Sequence, residues 1–257
     1  MNLLLFEAGE LGPDGRVVLA DARAEHVRSV LRAVPGQELA AGILDAGLGT
    51  ARGLEVHGDR VVLDAKGLER APVPERPRVD LLLALPRPKV LSRLVAGLAC
   101  MGVASVRLCN AARVERYYFD SHRLAEGELR RQLVSGLCQA KDTLLPRVSI
   151  HRSFRRLVED ELEPEPRRVV ADPGAPRASA ALAGLGPVDR VLLAVGPEGG
   201  WVDFERALLA ERGFRAIGLG SRVLRSDLAC IAALGVVHEA LRSADAGTSV
   251  SATRDHA

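Results

Sequence analysis

Lysine, aromatic residues and paired cysteines are what this chain has little of. Of its 35 basic residues only Lys66, Lys89 and Lys141 are lysine, and its 257 residues include five Phe, two Tyr and one Trp. The four cysteines, Cys100, Cys109, Cys138 and Cys230, form no CxxC pair, and the six histidines lie far from them in sequence. That argues against a zinc site and a disulfide framework and predicts buried free thiols. His238-Glu239 lacks the second histidine of a zincin helix and reads as an ordinary helix pair. No apolar run approaches the length of a membrane span, and residues 1–7 are too short and lack the basic flank of a signal peptide. A cytoplasmic protein without membrane contact is expected. There is no GxxxxGK followed by Ser or Thr and no GxGxxG after a strand, which disfavours the common nucleotide-phosphate sites.

What is present is a globular enzyme's composition, 47% hydrophobic and 26% charged, in a length that allows one large domain or one small and one medium domain. Net charge is only +2, but its distribution is uneven: residues 71–170 carry 18 basic and 12 acidic side chains, while both flanking parts are slightly acidic. Arg107, Arg113, Arg116, Arg123, Arg130, Arg131, Lys141, Arg147, Arg152, Arg155 and Arg156 form a basic stretch able to neutralise phosphates. The same arginines in a chain rich in Ala, Gly, Leu and Val also fit a compositional bias on a solvated face.

Residues 1–70 read as strands at 3–6, 16–19, 38–44, 52–56 and 60–65 around a helix over 22–33, with Asp21 as N-cap and Pro35-Gly36 as its stop. Gly47, Gly49 and Gly58 suit hairpins, so this is a small, mostly β module. Arg28 and Arg32, four apart, share a face of that helix, either for phosphates or for water. Pro72, Pro74 and Pro77 make residues 71–78 a linker. Beyond it, strands and helices alternate: a strand at 79–85, a helix from Pro88 to 101, a strand at 103–108, a long helix capped by Ser121 and running to 141, a short helix at 152–160, an acidic proline-broken loop at 161–166 and a strand at 169–171. Such alternation builds a parallel sheet. Between them, Tyr117 or Tyr118 beside Arg113 and Arg116 could stack an unpaired base, or anchor the helix that follows. A last helix over 226–242 places Leu228, Ile231, Leu234, Val237, His238 and Leu241 on one buried seam. The second domain spans 79–243, and residues 244–257 form a polar, flexible tail.

The chain is organised around residues 190–233. An apolar run, Val191–Val195, reads as a buried parallel strand and ends at once in Gly196-Pro197-Glu198-Gly199-Gly200. A helix follows with Asp203 as its cap. A strand at 214–218 then enters Leu219-Gly220-Ser221-Arg222-Val223-Leu224-Arg225, and Ser226 caps the last helix. A third turn-rich loop, Asp172-Pro173-Gly174-Ala175-Pro176, follows the strand at 169–171. Strands that end side by side in glycine loops are where an open α/β sheet places a ligand. Taken alone, Gly-Pro-Glu-Gly-Gly is equally compatible with a plain strand-to-helix turn.

The order GPEGG, helix, LGSRVLRSD resembles the C-terminal signature of the RsmE family, the 16S ribosomal RNA uridine N3-methyltransferases of the SPOUT superfamily. The resemblance implies an α/β protein with a C-terminal SPOUT-type parallel-sheet domain and a deep trefoil knot, preceded by a small PUA-like β-barrel. It implies S-adenosylmethionine as cofactor, small-subunit ribosomal RNA as partner, and a homodimer in which each pocket borders the partner subunit. It also places the segment from His26 to Arg32 on an RNA-binding face. The cofactor would be held through main-chain groups of three loops: Ala171, Asp172 and Pro173; Val195, Gly196, Pro197, Glu198, Gly199 and Gly200; and Leu219, Gly220, Ser221, Val223 and Leu224.

For the chemistry, Arg225 is the candidate for orienting the uracil or stabilising its developing oxyanion, while Glu198 either receives the N3 proton or buttresses its loop. Arg28, Arg32, Arg113 and Arg116 are the candidate RNA contacts. The chain departs from the family where Cys100-Met101-Gly102 replaces Glu-Leu-Gly, where Ser226-Asp227 replaces a Thr-Glu pair, and where Asn2-Leu3 stands in place of an arginine and an aromatic. Two other readings are a SPOUT methyltransferase of a different RNA position and an RNA-binding relative without catalysis; the glycine loops speak against the second.

Overall fold

A computed structural model of the chain describes residues 3–57, 59–163 and 167–252. The expected turn at Gly58, part of the loop at 161–166 and the end of the tail lie outside the described residues. Two compact units emerge, Met1–Arg76 with Arg130–Leu145, and Pro77–Leu129 with Pro146–Ala257.

In the first unit, β1 (Leu4–Phe6), β2 (Arg16–Leu19), β3 (Glu38–Ile43), β4 (Leu48–His57) and β5 (Arg60–Asp64) form one mixed sheet in the order β1-β3-β4-β5-β2. Only the β1–β3 pair is parallel, and β4 slips register between Gly53 and Glu55. Alternation in β2, exposed Arg16 and Val18 against buried Val17 and Leu19, turns one face onto a core that also holds Phe6, Val27, Ile43 and Leu63.

The helix expected over 22–33 is much shorter. Asp21 caps it as expected, accepting the Arg23 N–H at 2.8 Å, but α1 (Ala22–Glu25) gives way to a wide π turn at His26–Val30, and Arg32 takes a left-handed φ of 49°. Arg28 and Arg32 therefore do not share a helix face, and Arg28 is paired with Glu25. Seating Ala24 and Val27 in the core of this unit overrides the plain helical period.

The assignment of all of 79–243 to one domain also fails to describe residues 130–145, which pack with the first unit. Fully buried Thr143 is the reason: its hydroxyl donates to the Ala46 carbonyl at 2.7 Å, Asp45 accepts the Leu145 N–H at 3.0 Å, and the Thr143 methyl fills the space beside Gly42 where a Cβ would come within 2.5 Å.

The second unit is a six-stranded, wholly parallel sheet built from β6 (Val79–Ala84), β7 (Ser105–Cys109), β8 (Arg147–His151), β9 (Arg167–Ala171), β10 (Val191–Val195) and β11 (Arg215–Ile217) in the order β11-β9-β10-β6-β7-β8. Its helices are α2 (Pro88–Cys100), α4 (Phe154–Arg156), α5 (Ala178–Leu182), α6 (Asp203–Glu211) and α7 (Ser226–Ala252), whereas α3 (Glu126–Ala140) lies mostly among the residues 130–145 grouped with the first unit. Every residue of β6 and β10 is buried, which is why β10 reads as an unbroken apolar run and β6 as one broken only by Asp80.

Several details differ from expectation. Ser121 caps a short turn, accepting the Arg123 N–H at 3.2 Å, and α3 begins only at Glu126. The buried seam of α7 is Cys230, Ala233, Leu234, Val237 and Leu241, with Leu228 exposed. The helix also runs through residues expected as tail, and Arg78 reaches it through Asp245 at 2.7 Å. Cys109, Cys138 and Cys230 are buried, while Cys100 at the end of α2 is exposed. Burial pushes the Cys230 thiol up to about 12.

Asp80 is the charged exception within β6. Its carboxylate accepts from Ser105 Oγ at 2.5 Å and from Arg190 at 2.6 Å. Asp80→Ala strands the buried Ser105 hydroxyl and a guanidinium that is partly open to water, so a loss of about 2–3 kcal/mol is expected. Denaturant titration checks it: the midpoint falls with an unchanged slope, and a midpoint within error of wild type would show that the pair does not contribute.

Candidate functional site

Register places three loops side by side. Ala171 at the end of β9 pairs with Val195 of β10 on one side and with Ile217 of β11 on the other. The three strands thus end level, and the loops at 172–176, 196–200 and 218–225 leave from the same edge, the carboxyl edge of a parallel sheet where ligands bind. The loops are tied together: Asp172 N–H donates to the Ile217 carbonyl at 3.1 Å and Gly218 N–H to the Pro176 carbonyl at 2.7 Å. Gly200 and Gly220 have φ of 75° and 115°, angles that side chains resist, so each loop can turn back on itself.

Between them lies a cavity of about 350 Å³. Of the residues expected to hold the cofactor, Ala171, Asp172, Pro173, Val195, Gly196, Pro197, Glu198, Gly199, Gly200, Leu219, Gly220, Val223 and Leu224 line it, and Ser221 does not. Arg113, expected to face RNA, also lines it and donates to the Gly199 carbonyl. Trp201, Arg206, Arg222, Ser226 and Ala229 complete the wall. Sequence gave no sign of Trp201 or Arg206, because their placement follows from how α6 begins.

That beginning is built differently from the expected Asp203 cap. Asp203 is fully exposed and lies inside the helix. Glu205, only 3% exposed, reaches back instead, accepting the Val202 N–H at 2.9 Å and the Ala112 N–H at 2.7 Å. One buried carboxylate so fixes both the start of α6 and the loop after β7 that carries Arg113. Ser226 does not cap α7 either: Asp227 accepts the Leu228 N–H at 3.0 Å, and the buried Ser226 hydroxyl has no hydrogen-bond partner.

Of the charged candidates, Glu198 and Arg113 line this cavity. Glu198 is paired with Arg87 at 2.9 Å, which satisfies its charge and favours buttressing over proton transfer. Arg225 does not line the cavity; it stands just before Ser226, exposed, 3.3 Å from Asp227, which Arg93 approaches at 3.8 Å. Arg116 is exposed on a short turn over 116–120. In that turn Tyr118 and Phe119 are buried anchors and Tyr117 is 65% exposed, so of the two tyrosines only Tyr117 is open to a base.

Residues 74–238 match the RNA methyltransferase domain family. Over 250 residues the chain is 32% identical to ribosomal RNA small subunit methyltransferase E of Treponema pallidum, covering 92% of this chain and 90% of that one. It is likewise 32% identical over 246 residues to the protein of that name from Mycobacterium bovis, covering 92% of each. Among solved structures it shares its fold with ribosomal RNA small subunit methyltransferase E from Neisseria gonorrhoeae, determined with S-adenosylmethionine, at a TM-score of 0.72 and 20% identity, over 92% of this chain and 97% of that one.

Proposed function

Because this chain belongs to the ribosomal RNA small subunit methyltransferase E family, it is an S-adenosylmethionine-dependent rRNA methyltransferase, and we propose that it methylates N3 of a uridine in 16S ribosomal RNA at the three-loop cavity. The observation that carries the placement is the level ending of β9, β10 and β11 in glycine loops that enclose one cavity. The residues fit a sulfonium nucleoside. A Cβ on Gly196 would come within 3.0 Å of Trp201, so a side chain there would crowd the cavity wall, and two buried polar side chains at the cavity await partners.

When bound, S-adenosylmethionine supplies an electrophilic methyl group. The chain has to orient the base, exclude water and help remove the N3 proton. Main-chain groups at 195–200 and 219–224 read the adenine edges. Arg225 orients the uracil and stabilises charge on its oxygens, Glu198 with Arg87 holds the loop, and Arg113 and Arg116 meet the RNA, with Tyr117 as a stacking surface. Arg28 and Arg32 belong to a separate RNA contact of the N-terminal unit and act singly.

The finer architecture belongs to the same proposal. A SPOUT-type domain with a deep trefoil knot is supported by the family to which the chain belongs, and a PUA-like N-terminal domain by the mixed sheet around one core. A homodimer whose pocket borders the partner is supported by Val223, which lines the cavity yet is 84% exposed, and by exposed Leu228. Among the described residues no helix is long and apolar enough to cross a membrane, which accords with a cytoplasmic site of action.

Two measurements test the proposal. Calorimetry should show one S-adenosylmethionine bound per chain, and mass spectrometry of ribosomal RNA from a deletion strain should show one methyluridine lost and restored by the wild-type gene. Absence of heat at saturating ligand, or an unchanged RNA, would refute it.

A further inference from the structure

Two residues that line the cavity each carry a buried polar atom without a hydrogen-bond partner, the indole Nε1 of Trp201 and the hydroxyl of Ser226. Trp201 is 2% exposed and Ser226 5%, so bulk water does not satisfy them, and leaving such groups unpaired is costly.

Both are held rigidly. The Trp201 ring packs on Phe154 with centroids 5.2 Å apart, its carbonyl accepts from Arg206, and Nε1 lies beside Gly196, where a Cβ would approach to 3.0 Å. Ser226 is fixed in the first turn of α7, with the Leu228 N–H already taken by Asp227. An indole N–H can only donate, whereas a hydroxyl donates or accepts. Adenine edges can be read by the loops' main chain, so a fixed side-chain donor and a hydroxyl fit the oxygen-bearing parts of a nucleoside, its ribose hydroxyls and the carboxylate of its amino-acid end.

Resting on the cofactor assignment above, we propose that Trp201 Nε1–H and Ser226 Oγ are specificity-determining contacts to oxygens of the bound sulfonium nucleoside. Trp201 is the chain's single tryptophan, so its emission reports directly on that contact.

The test titrates the full-length chain with S-adenosylmethionine by calorimetry and by tryptophan emission, alongside Trp201→Phe and Ser226→Ala. Wild-type emission should change saturably with the calorimetric Kd, and each variant should bind about three- to tenfold more weakly while melting cooperatively. 5′-Methylthioadenosine, which lacks the carboxylate, separates the two oxygen sources: weakening that persists with it marks a ribose contact, and weakening that vanishes marks the carboxylate. Should Trp201→Phe not fold, Ser226→Ala and the wild-type emission decide. Wild-type affinity in the folded variants, or unmoved emission at calorimetric saturation, overturns this inference alone. No binding by wild type overturns the cofactor assignment and this inference with it.

Discussion

With Arg225 replaced by alanine, the single-turnover rate of methyl transfer to ribosomal RNA should fall by about two to three orders of magnitude, while affinity for S-adenosylmethionine stays within about twofold of wild type. The split follows from where the residue stands. Arg225 contributes nothing to the cavity wall, and its main chain does the structural work at the start of α7, its carbonyl accepting the Ala229 N–H at 2.8 Å. Alanine keeps that bond. What is lost is a guanidinium with 68% of its side chain exposed, held near Asp227, which is itself only 15% exposed. As N3 of a uracil loses its proton, negative charge spreads to the flanking oxygens, and a positioned forked donor stabilises it there. Lysine at the same place keeps the charge without the fork, so Arg225→Lys should recover only part of the rate. A turnover within about threefold of wild type for Arg225→Ala would remove this residue from the chemistry.

How much of this was legible before the structure depends on the range of the interaction. β10 could be read because a strand buried on both faces must be apolar throughout, and the loops after it because backbone turning with positive φ leaves glycine as its trace. Those two local signals mark where the loops leave the sheet, and the family resemblance extends them to most of the cavity wall. The signals that failed were all local patterns overruled at a distance. Asp203 and Ser226 have the chemistry of helix caps, yet Glu205 takes the first role because it can satisfy Ala112, distant in sequence, at the same time. Ser226 is buried at the cavity wall instead. The helix expected over 22–33 has the right periodicity, but seating Val27 in the core of its unit ends it early. Thr143 looks like an ordinary loop residue until Gly42 opens a space for its methyl group. Ala112 and Gly42 lie far along the chain from Glu205 and Thr143, so no short window contains the reason in those two cases.

The same distinction sets the strongest expectation for the cofactor site, at Gly218, a glycine required for space rather than for its φ. A Cβ there would lie 2.1 Å from the main-chain oxygen of Ala175 and 3.3 Å from that of Pro176. A flexible side chain could swing away from such an overlap; a carbonyl fixed in a tight loop cannot. To admit the methyl group, the loop at 172–176 and the end of β11 must part, breaking the 2.7 Å bond from Gly218 N–H to the Pro176 carbonyl and straining the 3.1 Å bond from Asp172 N–H to the Ile217 carbonyl. Gly218→Ala should therefore cost about 3 kcal/mol or more of stability. Because the parted loops are two of the three walls, it should also weaken S-adenosylmethionine binding by about a hundredfold or more, a further 2.7 kcal/mol or so. Gly235→Ala in α7 is the matched control. A Cβ there meets nothing within 4 Å, so helix propensity alone acts, and the variant should be as stable as wild type or up to about 1 kcal/mol more stable, with unchanged binding. Calorimetric affinity and denaturant midpoints for the pair decide the matter: if Gly218→Ala binds S-adenosylmethionine as Gly235→Ala does, the two loops do not jointly form the cofactor site.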